Sequence, residues 1–140
     1  MKKDVILSIC GRQLYQDQEP ETIELVTEGV LENRANGWCV SYQETELTGL
    51  QGVTTTFLLE PGTVTLDRKG PLNSTMVFRE GQSHQSLYQM EFGALMLTVC
   101  AKKVQYALSE DGGTIDLIYR IEIEQTAAGT IEYHLDIRTK

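Results

Sequence analysis

At 140 residues the chain has the length of one domain, and folding a chain of this size buries about two-thirds of the surface its extended form exposes, enough for one core without staples. Its net charge of -8, from 20 acidic against 12 basic side chains, argues against a nucleic-acid backbone or an anionic membrane as partner. The three cysteines, Cys10, Cys39 and Cys100, form no even set and no Cys-x-x-Cys spacing, so neither a disulfide framework nor a zinc knuckle is suggested; each reads as a small buried hydrophobe.

Met1-Lys2-Lys3 resembles the start of an export signal, but Asp4 follows at once and the apolar run 5–10 is too short for one. No stretch is long enough to span a bilayer, so the chain is read as cytoplasmic. Residues 3–13 alternate loosely, as a strand buried partly on both faces would. A connection through Asp17 and Pro20 follows. Residues 21–33 fit a helix through Ile23, Val26, Val30 and Leu31, yet they also alternate and are rich in β-branched side chains. A strand is preferred there, with Gly29 as a bulge that resets the register. The acidic side chains between Asp17 and Glu32 read as a solvated sheet edge.

Asn36-Gly37 signals a tight hairpin into a strand over 38–47. A turn over 48–52 leads to a strand over 53–60, and Pro61-Gly62 suits a type II turn into the strand 63–69. Further strands are predicted over 74–80 and 83–90. Phe92-Gly93 then turns the chain into a long run over 94–108, whose length predicts a bend near Lys102-Lys103. Asp111-Gly112-Gly113 is a hairpin turn. Beyond it Ile115, Leu117, Tyr119, Ile121 and Ile123 alternate with polar residues, and after a turn at Ala127-Ala128-Gly129 so do Ile131, Tyr133, Leu135 and Ile137.

About eight to ten short-turned strands, each apolar on one side, must bury that side and remove their edges. A sheet coiled on itself does both. The expected fold is therefore all-β: a single antiparallel meander barrel over 1–140, lipocalin-like, with a two-sheet sandwich as the alternative. Ser41-Tyr42-x-Glu44-x-Glu46-x-Thr48-Gly49-Leu50-x-Gly52-x-Thr54-Thr55, Arg68-x-Gly70, Met76-Val77-Phe78 with Gly81, Tyr88 with Phe92-Gly93, and Tyr119 in an apolar strand resemble the YwiB-like family of small bacterial proteins. Met90-Glu91 and Gln43 depart from its pattern. The resemblance implies a lipocalin-type barrel and a cytoplasmic setting, and it brings no catalytic residue.

Alternation places Trp38, Val40, Tyr42, Glu44 and Glu46 on one face, and Val64, Leu66 and Arg68 on another. An inward Arg68 would be costly alone, so it is expected to meet Glu44 or Glu46 across one intervening strand. The plain reading is an ion pair at the barrel mouth. The functional reading is an anchor for a small polar or anionic ligand, with Tyr42, Tyr88 and Tyr119 as walls. His84 is a general base only if Arg68 or Glu44 lies nearby, and His134, between Glu132 and Asp136, reads as exposed. No spacing suggests an activated nucleophile, three metal ligands or a cofactor. A small-molecule binding module is the first expectation; a protein-interaction or structural barrel with a filled interior, with a homodimer as one form of it, is the second; an enzyme is the third.

Overall fold

The computed structural model describes residues 2–15, 18–46, 50–124 and 126–140, without the side chain of residue 127. These form β1 (Lys2–Tyr15), β2 (Glu21–Arg34), β3 (Gly37–Gln43), β4 (Thr54–Glu60), β5 (Thr63–Lys69), β6 (Ser74–Phe78), β7 (Ser83–Met90), β8 (Gly93–Ser109), β9 (Gly112–Ile123) and β10 (Thr126–Thr139). There is no α-helix among the described residues. All ten strands belong to one antiparallel sheet in the order β6-β5-β4-β3-β2-β1-β10-β9-β8-β7. This is the meander barrel expected from the alternation.

The wall becomes a barrel because β1 pairs with β10 from Val5 opposite Thr139 to Tyr15 opposite Gly129. The two ends of the sheet, β6 and β7, meet at a seam. Asn73 and Gln89 exchange backbone hydrogen bonds of 2.9 Å, and the Ser86 hydroxyl donates to the Thr75 carbonyl at 2.6 Å. Strand pairing thus runs continuously round the barrel everywhere except this seam, where a side chain stands in for part of the ladder.

Period two decides what is inside. Val5, Leu7, Val40, Phe57, Leu59, Leu66, Phe78, Ile115, Leu117 and Leu135 are sealed from solvent, and Ile131 packs against them. A side chain of this kind contributes about 1.5–3 kcal/mol on full burial, so the interior is the main source of stability.

The segment 21–33 is a strand, as preferred, but it is not an edge: β2 pairs with β1 on one side and β3 on the other. Nor is Gly29 a bulge. It pairs in unbroken register with Val5 and Tyr42, and a Cβ there would lie 2.6 Å from the Ser41 carbonyl and 2.8 Å from Leu7 Cδ1. Glycine is required by close approach, not by a register change. The bend expected near Lys102 is present as a shift in register between Ala101 and Lys103. Gly62 has φ 71°, as position three of a type II turn needs.

Several boundaries differ from expectation. The strand 38–47 ends at Gln43, and the strand 74–80 ends at Phe78. Residues 47–49, which include the start of the expected 48–52 turn, and Asp17 of the first connection lie outside the described residues. The irregularity at 127–129 is a register shift inside β10, which already begins at Thr126. Of the cysteines only Cys39 is buried; Cys10 and Cys100 are half-buried on the outward face, and all three are free thiols.

Candidate functional site

Followed towards one end of the barrel, the inward side chains change character strand by strand. Apolar Leu7 and Ile9 give way to Gly11 on β1, Val40 to Tyr42 on β3, Phe57 to Thr55 on β4, and Leu66 to Arg68 on β5. Likewise Met76 gives way to Ser74 on β6, Leu117 to Tyr119 on β9, and Leu135 to Tyr133 on β10. Because neighbouring strands are antiparallel, a change at the C-terminal end of one and the N-terminal end of the next falls at the same level. The barrel is dry at one end and carries a polar ring at the other.

Register builds the ring in detail. Tyr42 pairs with Thr55, Thr55 with Arg68, and Arg68 with Ser74. Glu44 follows Tyr42 just past the end of β3, held by its backbone N–H donating to the Val53 carbonyl at 2.8 Å. Its carboxylate is 2 % exposed and accepts a 2.6 Å hydrogen bond from the Thr55 hydroxyl. Arg68 Nε stands 4.0 Å from the same carboxylate oxygen, with its side chain 13 % exposed. That is an ion pair but not a hydrogen bond. Arg68 Nε and Ser74 Oγ are buried without a hydrogen-bond partner among the described residues.

Across the barrel, the hydroxyls of Tyr42 and Tyr133 are 3.4 Å apart, and the Tyr133 ring lies 6.0 Å from that of Phe57. Burial pushes the Tyr42 phenol well above its ordinary range, with Tyr133 and Glu44 adding to the effect. Burial does the same to Tyr119, against the opposing pull of Arg68. Both are neutral hydroxyls at any physiological pH. For Arg68, burial opposes the charge, but Tyr133, Tyr119, Tyr42 and Glu44 outweigh it and hold its pKa above the usual arginine value. The site therefore contains a permanent cation, a carboxylate and neutral phenols.

Tyr42, Glu44, Arg68 and Tyr133 line one pocket of about 120 Å³, completed by Ile9, Gly11, Leu25, Leu50, Ile131 and neighbouring side chains. A larger hollow of about 500 Å³ along Val104, Tyr106 and Asp116 lies over outward-facing positions of β8 and β9, and another of about 310 Å³, at the β6–β7 seam, is lined by Arg68 with Asn73, Ser74 and Ser86.

Of the residues expected at the site, Tyr42, Glu44 and Arg68 come together there. Glu46 does not: β3 stops at Gln43, the alternation lapses, and its side chain is exposed. Tyr119 is buried in the polar ring but packs its ring 4.6 Å from Phe78, and Tyr88 is half-buried near it; neither lines the pocket. His84 sits at the start of β7, towards the dry end, so the condition for a general base fails. His134 is on the outer face with its side chain 43 % exposed, as expected, but its ring is bonded to both Asp116 and Asp136. Thr55 and Tyr133 join the site without having been expected there. The alternation of Thr55 with Phe57 is signal enough to place it; Tyr133 reaches the pocket only because β10 closes on β1. No cluster of three His, Cys, Asp or Glu among the described residues could hold a metal ion.

A continuous antiparallel meander, apolar at one end and holding a buried arginine–glutamate pair at the other, defines a small β-barrel protein with a polar interior site. The chain belongs to the family described as a domain of unknown function, DUF1934, whose profile matches residues 7–137. It is 28 % identical over 124 residues to the uncharacterised β-barrel protein YwiB of Bacillus subtilis (strain 168), covering 88 % of this chain and 86 % of that one. The crystal structure of the B. subtilis protein superposes with a TM-score of 0.88 over 99 % of this chain and 93 % of the other, at 24 % identity, which shows the shared fold. No helix among the described residues is long and apolar enough to cross a membrane.

Proposed function

We propose that this chain is a single lipocalin-like binding domain that holds a small polar or anionic molecule against Arg68 at the polar end of the barrel. The observation that carries the reading is the Arg68 Nε–H: it is buried, it has no acceptor among the described residues, and Arg68 lines a pocket of about 120 Å³. A buried donor left unmade costs about 1–3 kcal/mol. A bound acceptor would recover that cost, and the neutral Tyr42 hydroxyl supplies a second donor on the same wall. The apolar remainder of the pocket gives the body of a ligand somewhere to lie. A cytoplasmic setting is supported by three free thiols, and the acidic net charge supports neither a nucleic-acid nor an anionic membrane partner.

A thermal-shift screen of small polar metabolites tests this. Hits should raise the melting temperature of the natural chain and not of a folded Arg68→Ala variant. Hits that survive the substitution, or a screen without hits, would remove the reading.

A second reading, a homodimeric interaction barrel, has its own observation. Around the β7–β8 turn Phe92 is 94 % exposed, with Leu87, Met90 and Met96 also exposed. Contiguous apolar surface of this kind marks association sites. Sedimentation of the natural chain beside Phe92→Ser separates dimer from monomer.

A further inference from the structure

We infer that the ligand of this pocket is a small zwitterion, an α-amino acid of the size of glycine or alanine. The inference rests on the reading of Arg68 as a ligand anchor and goes on to name the class of molecule it anchors.

Two opposite charges line one wall of one small pocket. Arg68 and Glu44 are both lining residues, and at 4.0 Å they balance each other's charge without a hydrogen bond between them. Balance is what selects the ligand. A simple anion placed against Arg68 would leave a net negative charge beside two largely buried side chains, and a simple cation against Glu44 would leave a net positive one. Either uncompensated charge is expensive at a buried position. A molecule carrying both charges on one carbon adds none. Its carboxylate meets the orphan Arg68 Nε–H and the Tyr42 hydroxyl, and its ammonium meets Glu44.

Glu44 need not surrender its bond from Thr55, because a carboxylate offers about four acceptor positions. Size sets the other limit. A pocket of about 120 Å³ is well below the roughly 300–1,000 Å³ usual for ligand sites, which favours a compact amino acid such as glycine or alanine. Ile9, Leu25 and Ile131, which also line the pocket, favour a methyl group over a polar one.

Titration calorimetry of the natural chain with alanine, glycine, propionate and ethylamine tests the inference. Propionate and ethylamine each keep the frame of alanine and lack one charge. Alanine should bind at least about tenfold more tightly than either, a difference of about 1.4 kcal/mol. Glu44→Gln, which keeps an oxygen for the Thr55 hydroxyl, should move the preference from alanine towards propionate, and Arg68→Ala should abolish binding of alanine, glycine and propionate and move the preference towards ethylamine. Propionate or ethylamine binding as tightly as alanine, or a folded Glu44→Gln variant with an unchanged alanine-to-propionate ratio, would overturn the zwitterion while leaving Arg68 as an anchor. If none of the four binds, the zwitterion falls, and the thermal-shift screen against Arg68→Ala decides the anchor separately. Should Glu44→Gln fail to fold, the comparison among the ligands on the natural chain still decides.

Discussion

The Thr55 hydroxyl donates to the Glu44 carboxylate at 2.6 Å, tying β4 to the residue that follows β3 at the polar end of the barrel. The bond is buried and its acceptor is charged, so it belongs to the stronger class of side-chain hydrogen bonds. Thr55→Val preserves shape and removes the donor. It should lower the unfolding free energy by about 1.5–3 kcal/mol, read from urea denaturation. A loss below a few tenths would mean that the carboxylate finds an equal partner elsewhere.

Removing the cation should cost more than removing the hydroxyl. Arg68→Met leaves Glu44 buried beside no cation, and the expected loss is about 3 kcal/mol, the lower end for a broken buried pair, since Arg68 retains 13 % exposure and makes no direct hydrogen bond to Glu44. In a double-mutant cycle with Glu44→Gln the two losses should not add, and the coupling should reach about 1 kcal/mol. Additive losses would show that the two charges do not sense each other.

On the outer face, His134 lies between Asp116 at 2.5 Å and Asp136 at 3.2 Å. The bond to Asp116 raises its pKa, outweighing the opposing effect of partial burial, and Asp136 adds to the rise. Its folded pKa therefore exceeds the unfolded value of about 6.5. The stabilisation is complete below that value and is lost as pH rises through the folded pKa. Exposure limits it to under about 1 kcal/mol. The stability difference between the natural chain and His134→Gln, measured from about pH 5 to 9, should shrink as pH rises; a difference that grows would reverse the assignment.

Gly29 admits no side chain without movement of backbone, since the nearest obstacle to a Cβ is the Ser41 carbonyl at 2.6 Å. Gly29→Ala should destabilise by about 1–3 kcal/mol, the range for overpacking a well-filled interior. At exposed Gly62 a Cβ would meet nothing within 4 Å, so alanine there is strained only by the backbone's φ of 71°. Thermal melts of the two variants separate crowding from backbone strain.

Period two makes most of the barrel legible in the order of the amino acids. The alternation of Ile115, Leu117 and Tyr119 and of Ile131, Tyr133 and Leu135 is the alternation of the core, and the same rule carries Arg68 inward beside Glu44. The rule fails where its premise does. It requires an unbroken strand, so it mistakes Glu46, which lies beyond the end of β3, for an inward residue. It is also blind to crowding, so Gly29 reads as a bulge. And it orders residues along a strand but not around a barrel: Tyr133 belongs to the site only through the pairing of β10 with β1 and of β1 with β2, while alternation alone does not say which end of β7 reaches the polar ring, and His84 lies at the other end.

The pairing of β1 with β10 also dictates when this molecule can finish folding. Val5 finds Thr139 only after nearly the whole chain is available, and contacts so distant in sequence slow the search for the native state. Hairpins such as β8–β9 can form early and locally, but until the last strand docks, the row of backbone groups along β1 that will receive it stands open. The interval before closure is thus the time at which this protein is most exposed to pairing with the wrong partner.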